Sequence, residues 1–147
     1  MMPTIQKVLI LCQGNVCRSP MALGFWRQAY PHHQVDSAGL GAMVGHPAQP
    51  FAVQVAAALG ADISEHIAKQ VSETMLKEAD LVLVMSRRQQ SYCHEKFPWT
   101  RGKVMRIGHF EGYDIDDPMG LSHATFERVA LQLQLCVSTW RNYEQNN

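Results

Sequence analysis

Residues 7–20 read KVLILCQGNVCRSP, and the organisation of the whole chain follows from this stretch. The run 7–11 is apolar and partly β-branched, which is typical of a buried strand. Ser19 and Pro20 indicate a helix start, because serine caps free N–H groups and proline has no N–H to leave unpaired. We therefore expect a strand, a short loop and a helix N-terminus, with Cys12 at the end of the strand.

The loop between this strand and this helix has the composition of an anion-binding site. Unpaired N–H groups and the positive end of the helix dipole face such a loop, and Gly14 permits a turn that points successive amides inward. Arg18 lies close behind Cys12 in sequence, and its planar guanidinium can bind two phosphate oxygens. These positive groups favour the thiolate of Cys12, which is its nucleophilic form. The alternative is a buried structural cysteine beside a turn.

Segment 12–20, together with Asp117-Pro118, resembles the active-site sequences of low-molecular-weight protein tyrosine phosphatases. Segments 36–39 (DSAG) and 66–70 (HIAKQ) extend the resemblance over nearly the whole chain. It is most similar to the bacterial members that act with capsule and exopolysaccharide tyrosine autokinases. The resemblance implies a flavodoxin-like phosphotyrosine phosphatase I fold and hydrolysis of protein phosphotyrosine through a phosphocysteine. It also implies a monomer without a cofactor, whose partner is the tyrosine-rich tail of such an autokinase.

Three residues receive catalytic roles in this interpretation. Cys12 attacks phosphorus, Arg18 stabilises the equatorial oxygens, and Asp117 protonates the leaving phenolate and later deprotonates water. An ordinary turn is the alternative for the Asp-Pro pair. The other expected substrate-binding residues of the loop are Gln13, Gly14, Asn15, Val16, Cys17 and Ser19.

Two further positions are predicted to form the wall of the pocket. Leu40 and Met43 lie in the loop after the second strand and would contact the phosphotyrosine ring, unless they simply pack in the core. Met119 and Gly120 follow Asp-Pro where many members of the family have aromatic residues. The resemblance therefore implies a less aromatic pocket, suited to a flexible tyrosine-rich tail.

Supporting roles are left open for several neighbours. The Ser19 hydroxyl can donate to the thiolate as well as cap the helix. Asn15 tolerates left-handed backbone geometry. His66 either braces Asn15, as in relatives, or is an ordinary structural histidine. Cys17 either captures an oxidised Cys12 as a disulfide or is a small packing residue.

Composition bounds the class of protein. The chain has 147 residues, 13 basic and 13 acidic side chains and 46% apolar residues, so we expect a single domain, 1–147, and no nucleic-acid binding. Its apolar runs are too short for a membrane span, and its N-terminus does not resemble a signal peptide. Four cysteines do not suggest a disulfide framework, and the histidines show no metal-ligand spacing. We therefore predict a cytoplasmic protein without a metal or membrane insertion.

The chain alternates strands and helices. Strands are predicted at 8–11, 34–38, 80–85 and 103–107, and helices at 20–30, 50–60, 72–78, from 86 to before 98, and from 122 onward. Such alternation predicts an α/β fold, a four-stranded parallel sheet with helices on both faces. Ligands bind at the carboxyl edge of such sheets, where Cys12, the loop 39–45 and Asp117 should meet. Trp26, Trp99 and Trp140 are expected in the core.

Three rival functions remain. An arsenate reductase shares the fold and the loop but needs two further cysteines close together, whereas Cys93 and Cys136 lie far apart in sequence. A non-enzymatic phosphate-binding module would require neither the thiolate of Cys12 nor the acid Asp117. A phosphocysteine carrier of a sugar-uptake system would not require Arg18.

Overall fold

The computed structural model describes residues 4–146 and has a four-stranded parallel sheet at its centre. The strands are β1 (Lys7–Cys12), β2 (Gln34–Gly39), β3 (Leu81–Val84) and β4 (Val104–Arg106). Their order in the sheet is β2-β1-β3-β4, and every pair is parallel. The predicted α/β class and parallel sheet are confirmed.

Helices cover both faces of the sheet. They are α1 (Arg18–Ala29), α2 (Pro50–Ala58), α3 (Glu73–Glu78), α4 (Arg87–Lys96), α5 (His123–Thr139) and α6 (Arg141–Asn146), with a 3-10 turn at Pro98–Thr100. Side chains of β1 alternate between two cores, because successive residues of a strand point to opposite faces. Val8 and Ile10 pack with α1, α2 and α5, whereas Leu9 and Leu11 pack with α3 and α4.

Serine residues cap the N-termini of three helices. The side chains of Ser72, Ser86 and Ser122 each accept a hydrogen bond from the N–H three residues ahead. Capping of α1 by Ser19 is wrong, because α1 begins at Arg18 and its N-cap, Cys17, makes no side-chain cap hydrogen bond. The Ser19 hydroxyl points instead into the loop, towards Asn15 and Cys12.

Two further expectations need correction. Trp99 is 46% exposed, with the ammonium groups of Lys77 and Lys103 each 5.9 Å from a ring centroid. It is held by cation–π contacts at the surface, whereas the other two tryptophans are buried as predicted. The C-terminal helix is also not continuous, since α5 ends at Thr139 and α6 follows Trp140.

The ends of β1 and β2 lie close together at the carboxyl edge of the sheet. A Cβ built on Gly39 would lie 2.8 Å from the carbonyl oxygen of Gln13, so glycine is needed for this approach. Gly39 also bridges Gln70, which brings segment 66–71 behind the Cys12 loop. None of the helices between residues 4 and 146 has the length and apolar character that a bilayer crossing requires.

Candidate active site

Cys12 is the last residue of β1 and is 2% exposed. Its Sγ lies 2.9 Å from the Ser19 hydroxyl, and the Ser19 N–H donates to it at 3.4 Å. Both groups are donors for a thiolate, and both come from the first turn of α1. The packing therefore places the sulfur where two hydrogen bonds and the helix dipole favour a negative charge.

The carbonyl groups of the loop after Cys12 point away from its centre. They accept hydrogen bonds from surrounding loops, in the pairs Gln13 with Gly41, Gly14 with Met43, Asn15 with His66, and Val16 with Gln49. Within the described chain, no backbone N–H of residues 13–17 donates to a protein acceptor. In such a loop the carbonyl groups face outward and the N–H groups remain available to a ligand, which is the arrangement of an anion-binding nest.

Asn15 holds the loop in shape. It is fully buried and has a left-handed backbone, with φ of 60°. Its side-chain amide donates to Ser19 Oγ at 2.8 Å and to Ser37 Oγ at 3.0 Å. Its side-chain oxygen accepts from the Lys69 N–H at 3.0 Å. One asparagine thus connects the Cys12 loop with β2 and with segment 66–71.

His66 provides the fourth contact to Asn15. Its Nε2 lies 2.6 Å from the Asn15 carbonyl oxygen, which is the predicted bracing contact. Burial is the main cause that lowers the pKa of His66, so the ring is neutral at pH 7. A neutral ring with its proton on Nε2 can donate to the carbonyl, and this bond fixes the tautomer.

Arg18 lies behind the loop with 6% of its surface exposed. Its Nη1 donates to the Ile115 carbonyl at 2.8 Å, and its Nη2 is 3.7 Å from Asp117 Oδ2. Its buried Nε has no partner among the described residues. A buried charged donor without an acceptor is costly in free energy, and a bound phosphate would supply that acceptor.

Asp117 faces Arg18 from the loop before α5. Its side chain is 50% exposed, and its Oδ1 accepts from the Met119 N–H at 3.1 Å. The neighbouring Asp114 pairs with Arg106, and Asp116 pairs with Arg128. The three aspartates therefore have three separate arginine partners, and Asp117 is the one at the Cys12 loop.

Cys17 lies beside the same entrance. It is 3% exposed, and its Sγ is 3.8 Å from the sulfur of Met119. Burial, followed by the nearby Cys12 and Asp117, raises the pKa of Cys17 to about 12. Cys17 is therefore a neutral thiol beside Cys12, and Met119 covers it from the Asp117 loop.

A cleft of about 390 Å³ adjoins Arg18. Its lining residues are Gln13, Arg18, Leu40, Ser86, Arg88, Gln89 and Tyr92. Leu40 thus lies on the predicted wall. Met43 is absent from this lining and packs over Gly14, which favours its core alternative. The contribution of α4 was not predicted from the sequence, although the Ser86 cap after β3 places the N-terminus of α4 at this edge.

A family model described as "Low molecular weight phosphotyrosine protein phosphatase" matches residues 7–144. The chain is 40% identical to "Low molecular weight protein-tyrosine-phosphatase Ptp" of Acinetobacter johnsonii, over 94% of this chain and 97% of that protein. It is 44% identical to "Probable low molecular weight protein-tyrosine-phosphatase EpsP" of Ralstonia solanacearum, over 92% and 94% of the two chains. A similar solved structure is Vibrio vulnificus Wzb in complex with benzylphosphonate, with TM-score 0.91, 30% identity and coverage of 95% and 99%.

Proposed function

The chain belongs to the low-molecular-weight phosphotyrosine protein phosphatase family, and we propose that it hydrolyses protein phosphotyrosine through a phosphocysteine on Cys12. The assignment of residues is carried by the buried Arg18, which lies beside a loop of inward N–H groups. Its Nε has no acceptor among residues 4–146. Such a site is built for a tetrahedral dianion. A cysteine at its base and a carboxylate at its entrance add the nucleophile and the acid.

In the first step, the Cys12 thiolate attacks phosphorus. An S–P bond forms while the bond from phosphorus to the phenolic oxygen breaks, and Asp117 gives its proton to that oxygen. The loop N–H groups and Arg18 stabilise the equatorial oxygens, over which the transition-state charge is spread. The half-exposed position of Asp117 supports this role, because the leaving group must reach it from solvent.

In the second step, water hydrolyses the phosphocysteine. Asp117, now a carboxylate, takes a proton from the attacking water, and the S–P bond breaks to release phosphate. The returning thiolate of Cys12 is again held by the Ser19 hydroxyl and N–H. The thiolate, guanidinium and carboxylate supply all the chemistry of this scheme, which requires no metal or cofactor.

We further propose that the substrate is the tyrosine-rich tail of a tyrosine autokinase that controls capsule or exopolysaccharide production. The resemblance to bacterial members of that type supports this, as does the aliphatic side chain of Leu40 in the lining of the cleft. The proposal includes a cytoplasmic location and action as a monomeric single domain.

Hydrolysis of p-nitrophenyl phosphate by three variants tests the chemistry. Cys12→Ser should abolish turnover, and Asp117→Asn should lower kcat by about 10²–10⁴-fold because the acid is lost. Asp116→Asn is the matched control: its carboxylate pairs with Arg128, so kcat should change little. Normal turnover by Cys12→Ser, or an equal effect of the two aspartate changes, would refute the assignment. Phosphotyrosine and phosphoserine peptides then test the substrate class.

A further inference from the structure

The first turn of α4 has an unusual charge. It contains Arg87 and Arg88 and no acidic residue. Cations at a helix N-terminus oppose the helix dipole and lower helix stability. A residue that lowers the stability of its helix, and makes no contact that offsets this, is expected at functional positions.

Asp114 Oδ1 accepts from the Arg87 N–H at 3.2 Å at this end of α4, but it does not pair with Arg88. Among residues 4–146, no carboxylate pairs with its guanidinium and no acceptor takes its hydrogen bonds. Glu95, on the same face of α4, lies about two turns or 10 Å further along the axis, which is too far for an ion pair. By contrast, Arg106 and Arg128 each pair with an aspartate.

Arg88 also faces the active site. Together with Tyr92 it lines the 390 Å³ cleft that Arg18 and Leu40 line from the other side. Tyr92 is 39% exposed and stands one helical turn after Arg88, so the two side chains are neighbours on α4. Lys96 donates to the Tyr92 hydroxyl at 3.1 Å and holds the ring in place.

We propose that Arg88 determines substrate preference by binding an acidic side chain that flanks the phosphotyrosine. With the phosphate on the Cys12 loop and the ring against Leu40, the neighbouring part of the substrate crosses the cleft toward α4. A carboxylate there accepts hydrogen bonds from the Arg88 guanidinium and meets the positive end of α4. The inference rests on the proposed phosphatase function. It assigns Arg88 to substrate binding, not to the reacting atoms.

Three phosphotyrosine peptides test this proposal, with glutamate, alanine or lysine on both sides of the phosphotyrosine. The wild type should favour the glutamate peptide over the alanine peptide by about three- to tenfold in kcat/KM, through KM and not kcat. Arg88→Ala should remove the preference, and Arg88→Glu should turn it towards the lysine peptide. Arg101→Glu makes the same charge change just after the 3-10 turn beyond α4, and should keep the wild-type preference.

Ionic strength gives a second measurement. The wild-type preference should shrink as salt is raised, because exposed charge contacts are screened. If Arg88→Glu keeps the wild-type ratio of kcat/KM values, the proposal is wrong. If the wild type hydrolyses p-nitrophenyl phosphate and has the same kcat/KM for all three peptides, only this inference fails. If it hydrolyses none of them, the proposed function fails.

Discussion

Replacement of Asn15 by alanine is expected to destabilise the protein and to disorganise the Cys12 loop. Alanine removes three buried side-chain hydrogen bonds, to Ser19, Ser37 and the Lys69 N–H. It also places a Cβ-bearing residue without a polar side chain at φ of 60°, in the left-handed region.

The expected loss can be estimated from these contacts. Buried hydrogen bonds contribute about 1 kcal/mol each, so the three account for about 3 kcal/mol. The left-handed backbone costs alanine about 1 kcal/mol more, because asparagine tolerates this region better. The unfolding free energy should therefore fall by about 4 kcal/mol, a large part of the total for a domain of this size. Since the Cys12 loop loses the side-chain contacts that join it to Ser19, β2 and segment 66–71, kcat should fall by about a hundredfold.

Urea unfolding, followed by the fluorescence of the buried Trp26 and Trp140, measures the loss in free energy of unfolding. Asn15→Gly is the matched variant, because glycine loses the same hydrogen bonds but adopts positive φ without a steric cost. It should be about 1 kcal/mol more stable than Asn15→Ala. If both variants lose less than about 1 kcal/mol, the hydrogen bonds do not carry the stability assigned to them. If the alanine variant equals the glycine variant, the backbone argument is wrong.

Two further predictions concern titratable groups. Burial lowers the pKa of His66 below its ordinary value of 6.5, so the unfolded chain binds this proton first as pH falls. The contribution of neutral His66 to stability is therefore complete above pH 6.5 and is lost as the pH falls below it. His66→Gln should make the unfolding free energy fall less steeply between about pH 7.5 and 5. A slope equal to that of the wild type would contradict this. Iodoacetamide at neutral pH should alkylate Cys12 and spare Cys17, Cys93 and Cys136, because burial raises their pKa values to about 12, 11 and 12. Peptide mass spectrometry checks this, with inorganic phosphate as protectant, and rapid labelling of Cys17 would overturn it.

Local sequence determined the framework of this protein. The apolar run before Cys12, the glycine in the loop and the serine caps of three helices each act over a few residues. Local patterns of this kind therefore predicted the succession of strands and helices, the parallel sheet, and the position of Cys12 at the carboxyl edge of that sheet. His66 was found only through the family resemblance, since nothing in local periodicity connects it with Asn15.

Tertiary structure decided which groups meet at that edge. For Ser19 the sequence left two roles open, a helix cap and a donor to the thiolate, and folding keeps only the second, with the hydroxyl between Cys12 and Asn15. Trp99 looks like a core residue, yet two lysines hold it at the surface. No pattern in the sequence indicated a role for Arg88, which the fold places in one cleft with Gln13 and Arg18. These contacts could not be predicted because the periodicity of a sequence indicates only which face of a helix or strand is apolar. Contacts between loops depend on how the ends of several parallel strands converge.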